Sequence, residues 1–173
     1  KARVSRVETS LDAAFVYFGS ERHGFLPLKE LTSEYFEKDN DGKRKCTLKE
    51  NDEIIVQVLK EERGTKGAAL STQLSLAGRF LVLIPNSTKG GGVSRRISGE
   101  ERDQVKDIIK SLPIPEGMSV IVRTAGLGRN QEELQWDLDY LLSLWKQISG
   151  NLDESDCPSL IYKDDKLILR VFR

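Results

Sequence analysis

A chain of 173 residues, 38% hydrophobic and 31% charged, is long enough to bury a core in one or two globular domains. Lysine and arginine total 27 and so do aspartate and glutamate, so the formal net charge is zero and any basic character has to be local. No apolar run approaches the ~18 residues of a membrane-spanning helix, and no signal-peptide pattern opens the chain.

The first third reads as short β-strands. Val4 to Val7, Ala13 to Phe18, Gly24 to Leu28 and Glu53 to Leu59 are rich in β-branched and aromatic residues. Gly19-Ser20 and Asn40-Asp41-Gly42 supply the clearest turns, and Ala68 to Leu76 continues as a further strand. Five short strands in about 75 residues suggest a small barrel, of which the OB-fold is the commonest kind. From Leu81 the pattern changes. Leu81 to Ile84 is a strand stopped by Pro85, and a glycine-rich loop follows. Ser98 with Glu101 three residues on has the form of a capping box, and Val105, Ile108, Ile109 and Leu112 recur at helical spacing until Pro113 and Pro115. Met118 to Arg123 is a strand. Leu134, Leu138, Leu141, Leu142, Trp145 and Ile148 form the stripe of an amphipathic helix closed by Gly150. Ser159 to Tyr162 and Lys166 to Phe172 read as a hairpin around Lys163-Asp164-Asp165. The chain opens at Lys1 inside one strand pattern and closes at Arg173 just after another, and reads as an excised piece of a longer protein.

Acidic residues are unevenly spread. None lies between Glu62 and Glu100, a gap that contains Arg63, Lys66, Arg79, Lys89, Arg95 and Arg96 with Gly64, Gly67, Gly78 and Gly90-Gly91-Gly92. A second acid-free window, Gly117 to Gln131, holds Arg123, Thr124 and Arg129. Cations without counter-charge are the footprint of an anion site, and phosphate is the commonest large anion a protein grips. The other reading is a soluble loop region that lacks acids by chance. Within Ile121 to Gly126 a strand ends in a guanidinium, a hydroxyl and a flexible loop, and arginine offers phosphate a planar fork. A glycine such as Gly78 would let a backbone N–H approach the same oxygen. An ordinary strand end with an exposed arginine is the alternative.

In Ala14-Phe15-Val16-Tyr17 the period of two separates Ala14 and Val16 from Phe15 and Tyr17. If the aliphatics fill a barrel, Phe15 and Tyr17 point outward and Phe25 stands beside Phe15, forming a stacking platform for unpaired bases with Lys60 and Lys66 on its rim. If the faces swap, the phenylalanines are core. Pattern alone leaves both open.

Ligand-grade clusters are scarce. His23 is the only histidine, which excludes a two-histidine metal site and leaves a Ser-His-Asp site poorly supported; beside a turn it reads as structural or RNA-facing. Asp137 and Asp139, at i and i+2 on a helix, diverge, and Asp164-Asp165 fall in a turn, where acids are usual. Cys46 and Cys157 are isolated, which excludes a disulfide framework or paired metal motif and suits a reducing cytoplasm. No catalytic centre is legible.

LDAAFVYFGSERHGFLPLKEL (Leu11 to Leu31) closely resembles the RNA-binding barrel of the ribonuclease E/ribonuclease G family. The resemblance continues in order through KEERGTKGAALST (Lys60 to Thr72), LAGRFLVLIPN (Leu76 to Asn86), SRRI (Ser94 to Ile97), PEGMSVIVRTAG (Pro115 to Gly126) and LQWDL (Leu134 to Leu138). It implies an α+β chain: a five-stranded OB-fold β-barrel of the ribosomal protein S-one type over residues 1–74, a small α/β 5′-sensor domain over 75–166, and the start of an RNase H-like segment at 167–173. By that likeness Phe15, Phe25 and Lys66 match the RNA-contacting barrel residues, beside Lys60 on the rim. Gly78, Val82, Arg123 and Thr124 match the pocket for a 5′-monophosphate, with Arg95 as a further contact. The segment between Tyr35 and Thr47 carries no family motif.

The implied parent is a bacterial, cytoplasmic endoribonuclease of mRNA decay and rRNA/tRNA processing that cuts single-stranded RNA, its attachment to the inner membrane surface included. Its catalytic magnesium and structural zinc belong to a later domain, so this piece, with no cofactor of its own, would bind RNA without cutting it. The implied partners are single-stranded RNA with a 5′-monophosphate, further copies of the parent in a tetramer, and an RNA-decay complex, with no DNA and no transmembrane segment. The competing readings are a stand-alone, non-enzymatic single-stranded RNA-binding module and a protein-interaction domain whose aromatics meet a protein partner.

Overall fold

Small and aliphatic side chains of the first strands turn inward: Ala2, Val4, Ala14, Val16 and Leu26 are buried, while Arg3, Tyr17 and Phe25 are exposed. The computed structural model describes residues 1–87, 92–95 and 97–164. Strands β1 (Ala2–Glu8), β2 (Ala13–Tyr17) and β3 (Gly24–Pro27) are antiparallel neighbours. Two strands, β4 (Phe36–Lys38) and β5 (Arg44–Cys46), pair as a separate hairpin. Then come β6 (Glu53–Ile54), β7 (Gln57–Lys60) and β8 (Ala69–Ser71). The main sheet has the order β6-β1-β2-β3-β8-β7. Its two edge strands, β6 and β7, are consecutive in the chain, so Ile55–Val56 bridge the edges and the sheet curls onto itself. Ala2, Val4, Ala14, Val16, Leu26 and Leu70, each 0% exposed, fill the interior. Each Leu or Val sealed there is worth about 1.5–3 kcal/mol.

The expected five strands are therefore present, the fourth broken into β6 and β7. Ala68 to Leu76 does not run as one strand: its ladder ends at Ser71, and Leu76 begins another sheet. The Asn40-Asp41-Gly42 turn joins a hairpin whose strands carry no alternating apolar pattern. Asp39 caps that turn, its carboxylate accepting from the Asp41 and Lys43 N–H groups.

The connection to the second unit is pinned from both sides. Gln57 on β7 accepts from the Ser75 N–H and donates to the Ser75 carbonyl (2.8 and 3.0 Å). Asn86 accepts from the Leu74 N–H and donates to the Thr72 carbonyl (3.2 and 2.8 Å).

Beyond it lie β9 (Leu76–Ala77), β10 (Leu81–Ile84), β11 (Gly92–Val93), helix α1 (Glu100–Ser111), β12 (Ser119–Val122) and helix α2 (Gln131–Gly150). The sheet order is β11-β12-β10-β9, with β11 and β12 parallel. Leu81, Leu83, Val120 and Val122 present one face to Val105 and Ile109 of α1 and to Leu134, Leu138 and Leu141 of α2. This core shares no residue with that of the barrel.

Two expectations are corrected here. The residue before α1 is Gly99, at φ +68°, and no side chain caps that helix, so Ser98 and Glu101 form no capping box. The box belongs to α2, where Asn130 accepts from the Glu133 N–H and the Glu133 carboxylate accepts from that of Asn130. Ser159 to Tyr162 is not a strand; instead the Ser159 N–H donates to the Lys1 carbonyl (3.1 Å) and the Lys1 nitrogen to that of Ser159 (2.8 Å). Lys166 to Phe172 and the segment 167–173 lie outside the described residues, as do Lys89, Gly90, Gly91 and Arg96. No helix among the described residues is long and apolar enough to cross a membrane.

Candidate functional site

On the barrel's outer face one row of residues crosses five strands. Arg6 is level with Phe15, Phe15 with Phe25, Phe25 with Ala69, and Ala69 with Lys60. Ala14 and Val16 are sealed inside while Phe25 is 38% and Tyr17 40% exposed, which decides between the two face assignments. The Phe15 and Phe25 rings meet edge to face, 6.0 Å between centroids. The Arg6 guanidinium lies 5.2 Å from the Phe15 ring centre, within cation–π range. Exposed cations thus close both ends of a row whose middle is aromatic and, at Ala69, shallow. Tyr17 and His23 continue the aromatic face, their rings 5.6 Å apart.

Lys66 sits at the tip of the β7–β8 hairpin, where Arg63 and Lys66 exchange backbone hydrogen bonds of 3.1 and 2.9 Å. Arg22, in the β2–β3 loop, donates to the Gly64 carbonyl and ties that tip to the aromatic face. Gly67 is required at the crossing, because a Cβ there would strike the His23 carbonyl. Lys60 and Lys66 are exposed, and neither has an ion pair among the described residues.

A second cluster forms at one edge of the smaller sheet. β12 ends at Val122, beside the start of β10 at Leu81, and parallel β11 ends level with it at Val93. That topology brings the Gly78–Phe80 turn, Arg95, Arg123 and Thr124 to one edge. Arg123 and Thr124 are exposed, and the Thr124 hydroxyl has no protein partner among the described residues. Arg123 donates from Nη1 to the Gly78 carbonyl at 2.6 Å. Arg79 and Arg129 flank the Phe80 ring at 5.1 and 5.0 Å, adding two guanidinium groups to this edge. Val82 is half-buried and alternates away from core residues Leu81 and Leu83.

The expectation for Gly78 is corrected in one respect. Its N–H donates to the Leu81 carbonyl (2.8 Å) and is not open to an oxyanion. Glycine is needed there for room: a Cβ would lie 2.5 and 2.7 Å from the Asp137 carboxylate oxygens. Gly78→Ala is expected to destabilise the second unit by about 1–3 kcal/mol, as overpacking does, read as a lower denaturation midpoint. An unchanged midpoint would mean that the carboxylate can withdraw.

Two residues that sequence reasoning missed hold this edge in shape. Arg102 of α1 donates to the carbonyls of Ser94 and Ile97 (both 3.1 Å) and so anchors the turn that carries Arg95. Asp137 of α2 accepts from the N–H groups of Arg79, Phe80 and Leu81 at 3.0, 2.8 and 2.8 Å. Asp139, two residues on, accepts from Gln135 instead. Among the described residues no group of three His, Cys, Asp or Glu side chains could hold a metal ion.

Residues 1–73 match the family model described as S1 RNA binding domain, and residues 75–173 that described as Ribonuclease E/G family. The chain is 50% identical over its whole length to ribonuclease E of Escherichia coli (strain K12), covering 17% of that protein. It is equally similar, at 50%, to ribonuclease E of Haemophilus influenzae, covering 19%. Similarity to ribonuclease G of Haemophilus influenzae is 35%, again over the whole chain and covering 36% of that protein. The chain thus spans about a fifth or less of these two ribonuclease E relatives.

Proposed function

The chain belongs to the ribonuclease E/G family, and from that premise we propose that it is the RNA-binding and 5′-monophosphate-sensing portion of a single-strand-specific endoribonuclease. The parent would act in mRNA decay and in rRNA and tRNA processing, in a bacterial cytoplasm, as an oligomer within an RNA-decay complex. Residues 1–74 would serve as the RNA-binding barrel and 75–166 as the sensor. Magnesium and zinc would belong to the rest of the parent. This portion would bind RNA and leave cleavage to the rest.

The observation that carries the reading is the row Arg6–Phe15–Phe25–Ala69–Lys60. A single strand presents flat bases on one side and phosphates along its length. Stacking on exposed rings suits the first and flanking cations the second. Lys66 at the hairpin tip would extend the cationic rim. At the other cluster Arg123 and Thr124 would bind a terminal phosphate, which carries more charge than an internal diester. Arg95 would contribute further charge, and Gly78 and Val82 would form the wall. Gly78 would act there through its carbonyl, which orients Arg123.

The test compares uncleavable 2′-O-methyl RNAs that differ only in a 5′-monophosphate or a 5′-hydroxyl. The chain should prefer the monophosphate by about 1.5–3 kcal/mol, the worth of hydrogen bonds to a charged group, and Arg123→Ala should remove most of that preference. Equal affinity for both RNAs, or a preference that survives Arg123→Ala, would sink the sensor assignment.

A further inference from the structure

The turn between β9 and β10 cannot satisfy its own backbone. Gly78 donates across it to Leu81, but the N–H groups of Arg79, Phe80 and Leu81 find no carbonyl and all point at Asp137. Successive N–H groups converging on one anion form a nest, a concavity with fixed positive partial charge. Here the nest is filled from within the protein. On its other side the same turn directs the Gly78 carbonyl at Arg123, from which it accepts. An acid and a base therefore grip opposite polarities of one turn. The acid is rigidly mounted: Leu134, Leu138 and Leu141, all 0% exposed, fix α2 against the sheet, and the Asn130 box fixes its start.

We propose that Asp137 is a positioning residue for the 5′-phosphate pocket, setting through the Gly78–Leu81 turn the direction in which Arg123 presents its guanidinium. The proposal rests on the sensing role assigned to Arg123 above. A carboxylate is demanded on chemical grounds. One oxygen accepts from Phe80 and Leu81 and the other from Arg79. Asparagine would replace one of these acceptors by an NH₂ group facing a donor. The same three bonds spread the negative charge of Asp137 into backbone dipoles, which limits its repulsion of an anion arriving at Arg123.

The experiment has two readouts. In the RNA-free chain, the Arg123 guanidinium proton signals, assigned by their loss in Arg123→Ala, should broaden in Asp137→Asn as the Gly78 carbonyl loses its fixed direction. With uncleavable RNA, Asp137→Asn should lower the affinity ratio of 5′-monophosphate to 5′-hydroxyl RNA about tenfold, the size of one charge-assisted hydrogen bond. Affinity for the 5′-hydroxyl RNA should stay within about twofold, and in an Arg123→Ala background Asp137→Asn should leave the ratio where it is, since residues acting through one another are not additive. Unchanged Arg123 signals overturn the proposal, as does an equal fall of the ratio in the Arg123→Ala background. Should the unsubstituted chain show no preference for the monophosphate, the sensing reading fails, and the guanidinium signals still decide whether Asp137 positions Arg123.

Discussion

Alanine at both Phe15 and Phe25 is expected to weaken binding of uncleavable single-stranded RNA by about 2–6 kcal/mol, the loss of two base–ring stacks at roughly 1–3 kcal/mol each. Stability should change far less than affinity. A fully buried Phe→Ala costs about 3–5 kcal/mol, but Phe25 is 38% exposed and both rings lie outside the sealed interior of Ala14, Val16 and Leu26. The mutual edge-to-face contact adds only about 0.5–1.5 kcal/mol. The salt dependence separates stacking from charge. Each phosphate neutralised on a single strand contributes about −0.7 to the slope of log affinity against log salt, and removing two rings releases no fewer counterions. The double variant should therefore bind weakly with an unaltered slope. A reduced slope, or affinity within about twofold of the unsubstituted chain, would remove the bases from this face and leave the row to a protein partner.

The aromatic half of that row was legible in Ala14-Phe15-Val16-Tyr17; its cationic end at Arg6 was not. By strict alternation Arg6 falls on the same face as Ala2 and Val4, which are buried. Between Val4 and Arg6 the register against β2 slips by one residue, so Arg6 pairs with Phe15 and turns outward. A bulge of this kind re-aims a side chain without leaving a periodic signature. The hairpin Phe36–Cys46 was hidden for a related reason: its charged strands bury little, so only its turn had a recognisable form.

Asp137 illustrates a different limit. Its neighbours Leu134, Leu138 and Leu141 declared the helix and its buried face by spacing alone, and the two acid-free windows pointed to the cations at the sheet edge. That a carboxylate would be needed beside those cations depends on three N–H groups some 57 residues away in the chain, which only the tertiary fold gathers. The glycine at 78 gave the opposite difficulty: read as an open backbone, it is a close approach, with its N–H already engaged. Local composition thus locates a cluster of cations more readily than it identifies which backbone donors the fold leaves free.

Leu138→Ala is expected to cost about 2–5 kcal/mol of stability, and to cost it in one unit only. Leu138 is 0% exposed, packs among residues of both helices and the smaller sheet, and adjoins Asp137. Against a typical total of about 5–15 kcal/mol, that loss leaves the second unit marginal. The barrel has its own core, and five linker hydrogen bonds through Gln57 and Asn86 connect the two. At about 0.5–1.5 kcal/mol each, partly solvated, those bonds can resist but not prevent separate melting once the smaller core is weakened. Both tryptophans, Trp136 and Trp145, lie on α2, so tryptophan fluorescence follows that unit alone. In a urea titration of Leu138→Ala the fluorescence midpoint should fall well below the concentration at which binding of 5′-hydroxyl RNA is lost. If instead both signals shift together, the pinned linker transmits core stability from one unit to the other. RNA held on the barrel would then also stabilise the edge that carries Arg123, because a ligand that binds only the folded state stabilises everything cooperative with it.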